Sequence, residues 1–179
     1  MTKTQMKRIT KLMKAINETG RYIFHISDNK VTMTVGFSIG WEFPIEILQQ
    51  TGVEFPVSFY QNSIETLLNE CEECVDYDDT RINAKEFLSE LKAIYKEIKK
   101  IDTEHTKVPY IIKHNGEYYG FQISQLIEVI ETLGTNAEIF IHCNSKIYKP
   151  LYIKSDIGRA VLLPVKLKDI TCIKANKTI

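Results

Sequence analysis

The sequence predicts an α+β fold in which helices pack on antiparallel sheet meanders, with the meanders arranged as a pseudo-repeat. Three observations predict it. Val31, Met33, Val35, Phe37, Ile39 and Trp41 alternate with small or polar residues, which is the period of a strand. Asn115-Gly116 sits between two apolar and aromatic runs and is the preferred pair for a two-residue hairpin turn. Apolar stripes at helical spacing occupy residues 4–17, 83–101 and 124–133.

In chain order, Met6, Ile9, Leu12, Met13 and Ile16 make the first helical stripe. Lys7, Arg8, Lys11 and Lys14 cover the rest of that helix, and Gly20 supplies its C′ residue. The run 21–27 and a turn at Asp28-Asn29 lead into the alternating stretch 31–41. That stretch is read as one continuous strand whose glycines mark bending or close approach by another segment. Residues 53–60 predict an edge strand, because Pro56 has no N–H to give a ladder. Asn62 followed by Glu65 has the pattern of a capping box and opens a helix through about Glu73. Phe87, Leu88, Leu91, Ile94, Tyr95, Ile98 and Ile101 form the apolar side of the long helix at 83–101. Ser124 caps the last helix and Gly134 closes it. Strands follow at 137–143, 151–154 and 159–167, with Pro164 keeping the end of the last one out of a central ladder. The stretches 22–31 (YIFHISDNKV) and 138–147 (EIFIHCNSKI) align without gaps, each behind an amphipathic helix, which suggests an internal repeat.

The 179 residues are read as a single domain, 1–179. Its subregions are a first helix–meander unit at 1–60, an acidic loop and long helix at 61–106, a second helix–meander unit at 107–168, and a tail at 169–179. Lys+Arg and Asp+Glu both number 23, and this balance argues against a generic polyanion binder, which carries a basic excess. Nothing approaches the ~20 apolar residues that cross a bilayer. The charged N-terminal stretch lacks the apolar core of a signal peptide, so a cytoplasmic location is expected and no membrane partner. The excess of Lys over Arg and the abundance of Ile suit an AT-rich coding genome of a bacterium, phage or mobile element.

Candidate chemistry is sparse. Cys71 and Cys74 have the spacing of half a zinc site, but Cys143, Cys172, His25, His105, His114 and His142 supply no paired second half, so no metal ligand is assigned. From Glu65 to Asp79 there are seven acids and no base. Within that stretch Glu72, Glu73, Asp76, Asp78 and Asp79 have two open readings. They are carboxylates for a Mg²⁺ site that cleaves phosphodiesters, or a solvated acidic loop. A third reading is an acidic surface that mimics nucleic acid and fills a basic groove on a partner. Phe59-Tyr60 and Tyr118-Tyr119 are either base-stacking pairs or strand residues half in the core. The string Gly36-Phe37-Ser38-Ile39-Gly40 matches a nucleophile elbow only as letters, because a strand reading runs through it and no helix follows.

Residues 121–167 resemble the closing half-domain of bacterial DNA polymerase sliding clamps. The resemblance lies in the helix followed by three strands, in Pro150-Leu151-Tyr152-Ile153, and in Leu163-Pro164-Val165-Lys166-Leu167. Residues 81–94 are similar to the strand-to-helix entry of the preceding half. The resemblance implies a clamp-like pseudo-repeat whose helices face nucleic acid, with Lys7, Arg8, Lys11 and Lys14 as contacts to nucleic acid or a partner. Helix 124–133 departs from that pattern by carrying Glu128 and Glu131. The expected function is therefore a non-enzymatic, clamp-like binding protein, monomeric or homodimeric, that acts on nucleic-acid machinery through a protein partner, with nucleic acid itself a possible ligand. The alternative is a phage or mobile-element inhibitor of a host nuclease, of anti-CRISPR type, acting by steric block or by metal-dependent RNA cleavage. No cofactor is expected; Mg²⁺ enters only under that alternative.

Overall fold

The computed structural model describes residues 1–19, 22–35, 38–58, 62–75, 81–101, 109–141, 149–167 and 176–178. The first unit is α1 (Lys3–Thr19) followed by β1 (Tyr22–Ser27), β2 (Lys30–Val35) and β3 (Ile39–Pro44). A short α2 (Ile45–Gln49) and then α3 (Asn62–Cys74) come next. A second unit runs β4 (Arg81–Asn83), α4 (Ala84–Ile101), β5 (Pro109–His114) and β6 (Glu117–Gln122). The third runs α5 (Ile123–Leu133), β7 (Glu138–Ile141), β8 (Leu151–Ser155) and β9 (Gly158–Leu162), and β10 (Lys177–Thr178) closes the described chain.

The α+β expectation holds. A seven-stranded antiparallel sheet has the order β1-β2-β3-β9-β8-β7-β4, and β10-β5-β6 form a second sheet. Its two meanders, β1-β2-β3 and β7-β8-β9, meet where β3 pairs antiparallel with β9, so the aligned stretches at 22–31 and 138–147 both begin in the outermost strand of a meander. The α4 and α5 units also exchange strands. β4, which enters α4, pairs with β7, and β6, which enters α5, pairs with β5.

One row of directly opposed residues crosses the large sheet on its main core face: Phe24, Met33, Trp41, Ala160, Ile153, Ile139 and Ile82. All seven are buried against α1, α4 and α5, and the smallest, Ala160, sits at mid-sheet. The opposite face carries a second core, Val161, Tyr152 and Phe140 under Leu68 and Cys71 of α3 and Val75 just beyond it. Gly40 lies in this face, where an added Cβ would stand 2.7 Å from Ile64 Cγ2, so the expected close approach of another segment is the docking of α3.

Several local expectations change. The stretch 31–41 is two strands, not one. Met33 faces Trp41 and Val31 faces Phe43, so the odd-numbered residues of the two strands share one face and their alternation stays in phase from one strand to the other. The turns at Asp28-Asn29 and Asn115-Gly116 do form, with positive φ at all four residues. Residues 53–58 form no strand. Side chains hold them instead: Ser58 Oγ donates to Phe24 O at 3.1 Å and Tyr22 Oη to Val57 O at 3.3 Å. Strand β9 ends at Leu162, two residues before Pro164, and beyond the proline Val165 N–H donates to Gly120 O at 2.8 Å, so the chain crosses to the edge of the second sheet. The hairpin 109–122 belongs to that second sheet rather than to the β7-β8-β9 meander. Helix α5 opens one residue before Ser124, with Gln122 at its N-cap and no side-chain cap. The predicted Gly20 cap and the Asn62 side chain of the capping box lie outside the described residues.

Candidate nucleic-acid interface

Helices α1, α5 and α4 lie side by side with α5 in the middle. Gln5 Nε2, near the start of α1, donates to Leu133 O at the end of α5 at 3.0 Å, so the two run antiparallel and their dipoles oppose favourably. In α1, Gln5, Ile9, Leu12, Met13 and Ile16 are buried, which turns Lys7, Lys11 and Lys14 to the opposite, exposed side. Arg8 is used differently. Its guanidinium pairs with Glu131 of α5, whose side chain is only 13% exposed. Lys92 of α4 reaches the other oxygen of the same carboxylate at 2.8 Å. Glu131 therefore ties the three helices together and is no longer a free negative charge on the layer, whereas Glu128 remains exposed.

Lysines on α4 complete the flank. Lys85, Lys92, Lys96 and Lys99 are exposed and recur at intervals of seven, four and three residues, the spacing of one helical face, and Lys92 fixes that face as the one turned to α5. Sequence reasoning read this helix for its apolar stripe and missed the lysines, although their spacing was there to find. Lys99 Nζ sits 4.5 Å from the Tyr95 ring centroid.

Of the predicted acids, Glu72 and Glu73 lie on the other side of the large sheet, on α3. Glu73 is exposed at the end of α3, and Asp76, Asp78 and Asp79 lie outside the described residues. Glu72 is committed to structure. It accepts from Tyr152 Oη and, at 3.2 Å, from Lys154 Nζ, with Arg159 Nη1 3.8 Å away. Burial alone would raise its pKa, but the hydrogen bonds from Tyr152 and Lys154, with the Lys154 and Arg159 charges, outweigh it and hold the carboxyl below its ordinary 4.5. Among the described residues no three His, Cys, Asp or Glu gather as a metal site.

A folded pKa below the unfolded one stabilises the fold above pH 4.5 and loses that contribution as pH falls through the folded value. The protection factors of the α3 amides, exchange corrected for its intrinsic pH dependence, should therefore fall below about pH 4.5, ahead of those of the seven-stranded sheet. Glu72→Gln should remove the step at a cost of about 1 kcal/mol, because Glu72 is 43% exposed and its pairing is screened. An α3 exchange profile that is the same in both proteins would refute the assignment.

Cys71 is buried beneath α3 and Cys74 is half-buried, both free thiols. Burial, then the neighbouring Cys74, pushes the Cys71 thiol up to about 12, which keeps it protonated and poor as a nucleophile or metal ligand. Cys143, Cys172, His105 and His142 lie outside the described residues. Of the aromatic pairs, Tyr119 is buried, Tyr118 is half-buried with Lys113 Nζ 5.4 Å from its ring centroid, and Phe59-Tyr60 lie outside the described residues. Ser38 of the elbow-like string accepts from Gln125 Nε2 at 2.7 Å and Gly40 lies within β3, so the described residues of the string, 38–40, lead into a strand rather than into the helix of a nucleophile elbow.

No protein-family model matches the chain, and no curated protein matches it. Its fold is similar to the crystal structure of a "Putative DNA polymerase III beta subunit" from Eubacterium rectale ATCC 33656, with a TM-score of 0.52 and 15% sequence identity. The similarity covers 90% of this chain and 63% of that one, so this chain spans less than two thirds of the other's length. At that identity the likeness is one of fold, and the fold is clamp-like. Among the described residues no helix is long and apolar enough to cross a membrane.

Proposed function

We propose that the protein is a non-enzymatic, clamp-like binding protein that acts on nucleic-acid machinery through a protein partner, as a monomer or homodimer. One observation carries this reading: within a clamp-like fold, the helical layer turns Lys7, Lys11, Lys14, Lys85 and Lys96 outward, while the α3 side carries Glu70 and Glu73. Charge separated this way steers encounter with a charged partner even when net charge is zero. The commitment of Glu72 to Tyr152 and Lys154 supports the non-enzymatic side of the reading.

Fluorescence anisotropy with duplex and single-stranded probes tests the helical face. Binding should be weak and salt-dependent, and Lys7→Glu/Lys11→Glu/Lys14→Glu should lower it at least about tenfold at low salt, since each lost phosphate contact removes about 0.9 from the salt slope. Binding that the triple variant leaves unchanged would sink the nucleic-acid part. Incubation with labelled RNA or DNA and Mg²⁺ should give no cleavage. Cleavage abolished by EDTA and by Asp76→Ala or Asp78→Ala would overturn the reading in favour of a metal-dependent nuclease, and cleavage seen only with a partner nuclease present would favour the anti-CRISPR-type alternative. Light scattering should report one or two copies, and a larger ring would contradict the stoichiometry.

A further inference from the structure

The outer edge of β5 is filled from within the chain by residues 176–178, and the geometry points to a second occupant there: an extended, lysine-bearing segment of a partner protein. This inference stands apart from the reading of the helical face. Asn176 takes both edge groups of Ile111, its own N–H donating to Ile111 O at 2.8 Å and its Oδ1 accepting from Ile111 N–H at 2.7 Å. Lys177 and Thr178 then pair parallel with Ile112 and Lys113.

Lys177 shares the core-side face with Ile112 and enters a cation-binding corner made by α4. Its Nζ lies 4.0 Å from Glu90 Oε2 and 5.9 Å from the centroid of the buried Phe87 ring. Tyr110 Oη donates to the other Glu90 oxygen at 2.5 Å and so orients the carboxylate toward the edge. An unfilled backbone edge recognises extended chain, and side-chain pockets beside it set which residues are accepted. Here the edge at Ile111 accepts a residue with a short side-chain acceptor, and the Glu90–Phe87 corner accepts the cation that follows it.

The internal occupant is held lightly. Among the described residues it engages three of the six residues of β5, Ile111, Ile112 and Lys113, and its ion pair joins side chains that are each about a third exposed. What keeps it in place is tethering, which supplies an effective concentration in the millimolar range. A partner strand with a longer run of pairing along β5 displaces it.

The test uses a fluorescein-labelled peptide of residues 174–179 (KANKTI) and a chain shortened to end at residue 175. The peptide should bind the shortened chain, and bind the full chain at least about tenfold more weakly because the tethered segment competes. Lys177→Glu in the peptide, or Glu90→Gln in the shortened chain, should weaken binding severalfold. Should the shortened chain not fold, Asn176→Ala in the full chain opens the same edge and should raise peptide affinity severalfold above that of the unsubstituted full chain. Failure to bind either folded protein overturns the proposal. A concentration-dependent dimer of the full chain that Asn176→Ala abolishes would make a second copy the occupant and overturn the assignment to a partner protein.

Discussion

Arg159→Met is expected to destabilise the protein by about 3 kcal/mol, near the lower end of the range for breaking a buried ion pair by removing one partner. Arg159 grips Glu42 with two hydrogen bonds, Nε to Oε1 at 2.9 Å and Nη2 to Oε2 at 2.7 Å. Glu42 is 7% exposed, so removing the guanidinium strands a carboxylate in the sheet. Lys30 stands 3.4 Å from it but is largely exposed, and it offsets only part of the loss. The same guanidinium also reaches α3, donating to Asn69 Oδ1 at 2.8 Å. Urea denaturation should show a lower midpoint with an unchanged slope. Glu42→Leu combined with Arg159→Met should recover most of the stability, because an apolar pair leaves no charge to desolvate. A double variant no better than the single one would contradict this account.

The neighbouring position should be about as sensitive. Gly158 ends the tight turn between β8 and β9 with φ +156°, and a Cβ there would stand 2.6 Å from Glu42 O and 2.7 Å from Phe43 Cδ1. One obstacle is the backbone of a central strand and the other is a fully buried ring, so neither yields cheaply. Gly158→Ala should cost about 3 kcal/mol through overpacking and backbone displacement, which lowers Tm by about 6–12 °C. Gly52→Ala is the control. Its φ of +65° strains a side chain, but nothing lies within 4 Å of the added carbon, so its loss should be nearer 1 kcal/mol. Equal losses at the two sites would show that the packing clash at Gly158 is not what matters.

How far the sequence made this fold legible depends on the range of each interaction. Alternation at 31–41, the Asn115-Gly116 turn, the helical stripes and the closing Gly134 are local, and each could be read without knowing the neighbours. The division of 31–41 into two strands stayed hidden because pairing Met33 with Trp41 preserves the alternation. Long-range partners leave no local trace. Nothing near Arg159 in the chain announces Glu42, 117 residues upstream, and nothing near Glu131 announces that Arg8 and Lys92 converge on it. The basic side of α1 was visible, but which of its charges are free and which are structural was decided by packing against α5. The edge of β5 was invisible for the same reason, since Asn176 finds Ile111 from 65 residues away.

The pairing of β3 with β9 has a consequence for how the chain comes off the ribosome. Ile39 has to wait for Leu162 and Glu42 for Arg159, so the first meander emerges with its inner border open for more than a hundred residues of synthesis. Closing so long a loop is entropically slow, and an open strand border is prone to pair with the wrong chain. The nascent first third therefore presents an unpaired strand border until the last meander arrives to complete it.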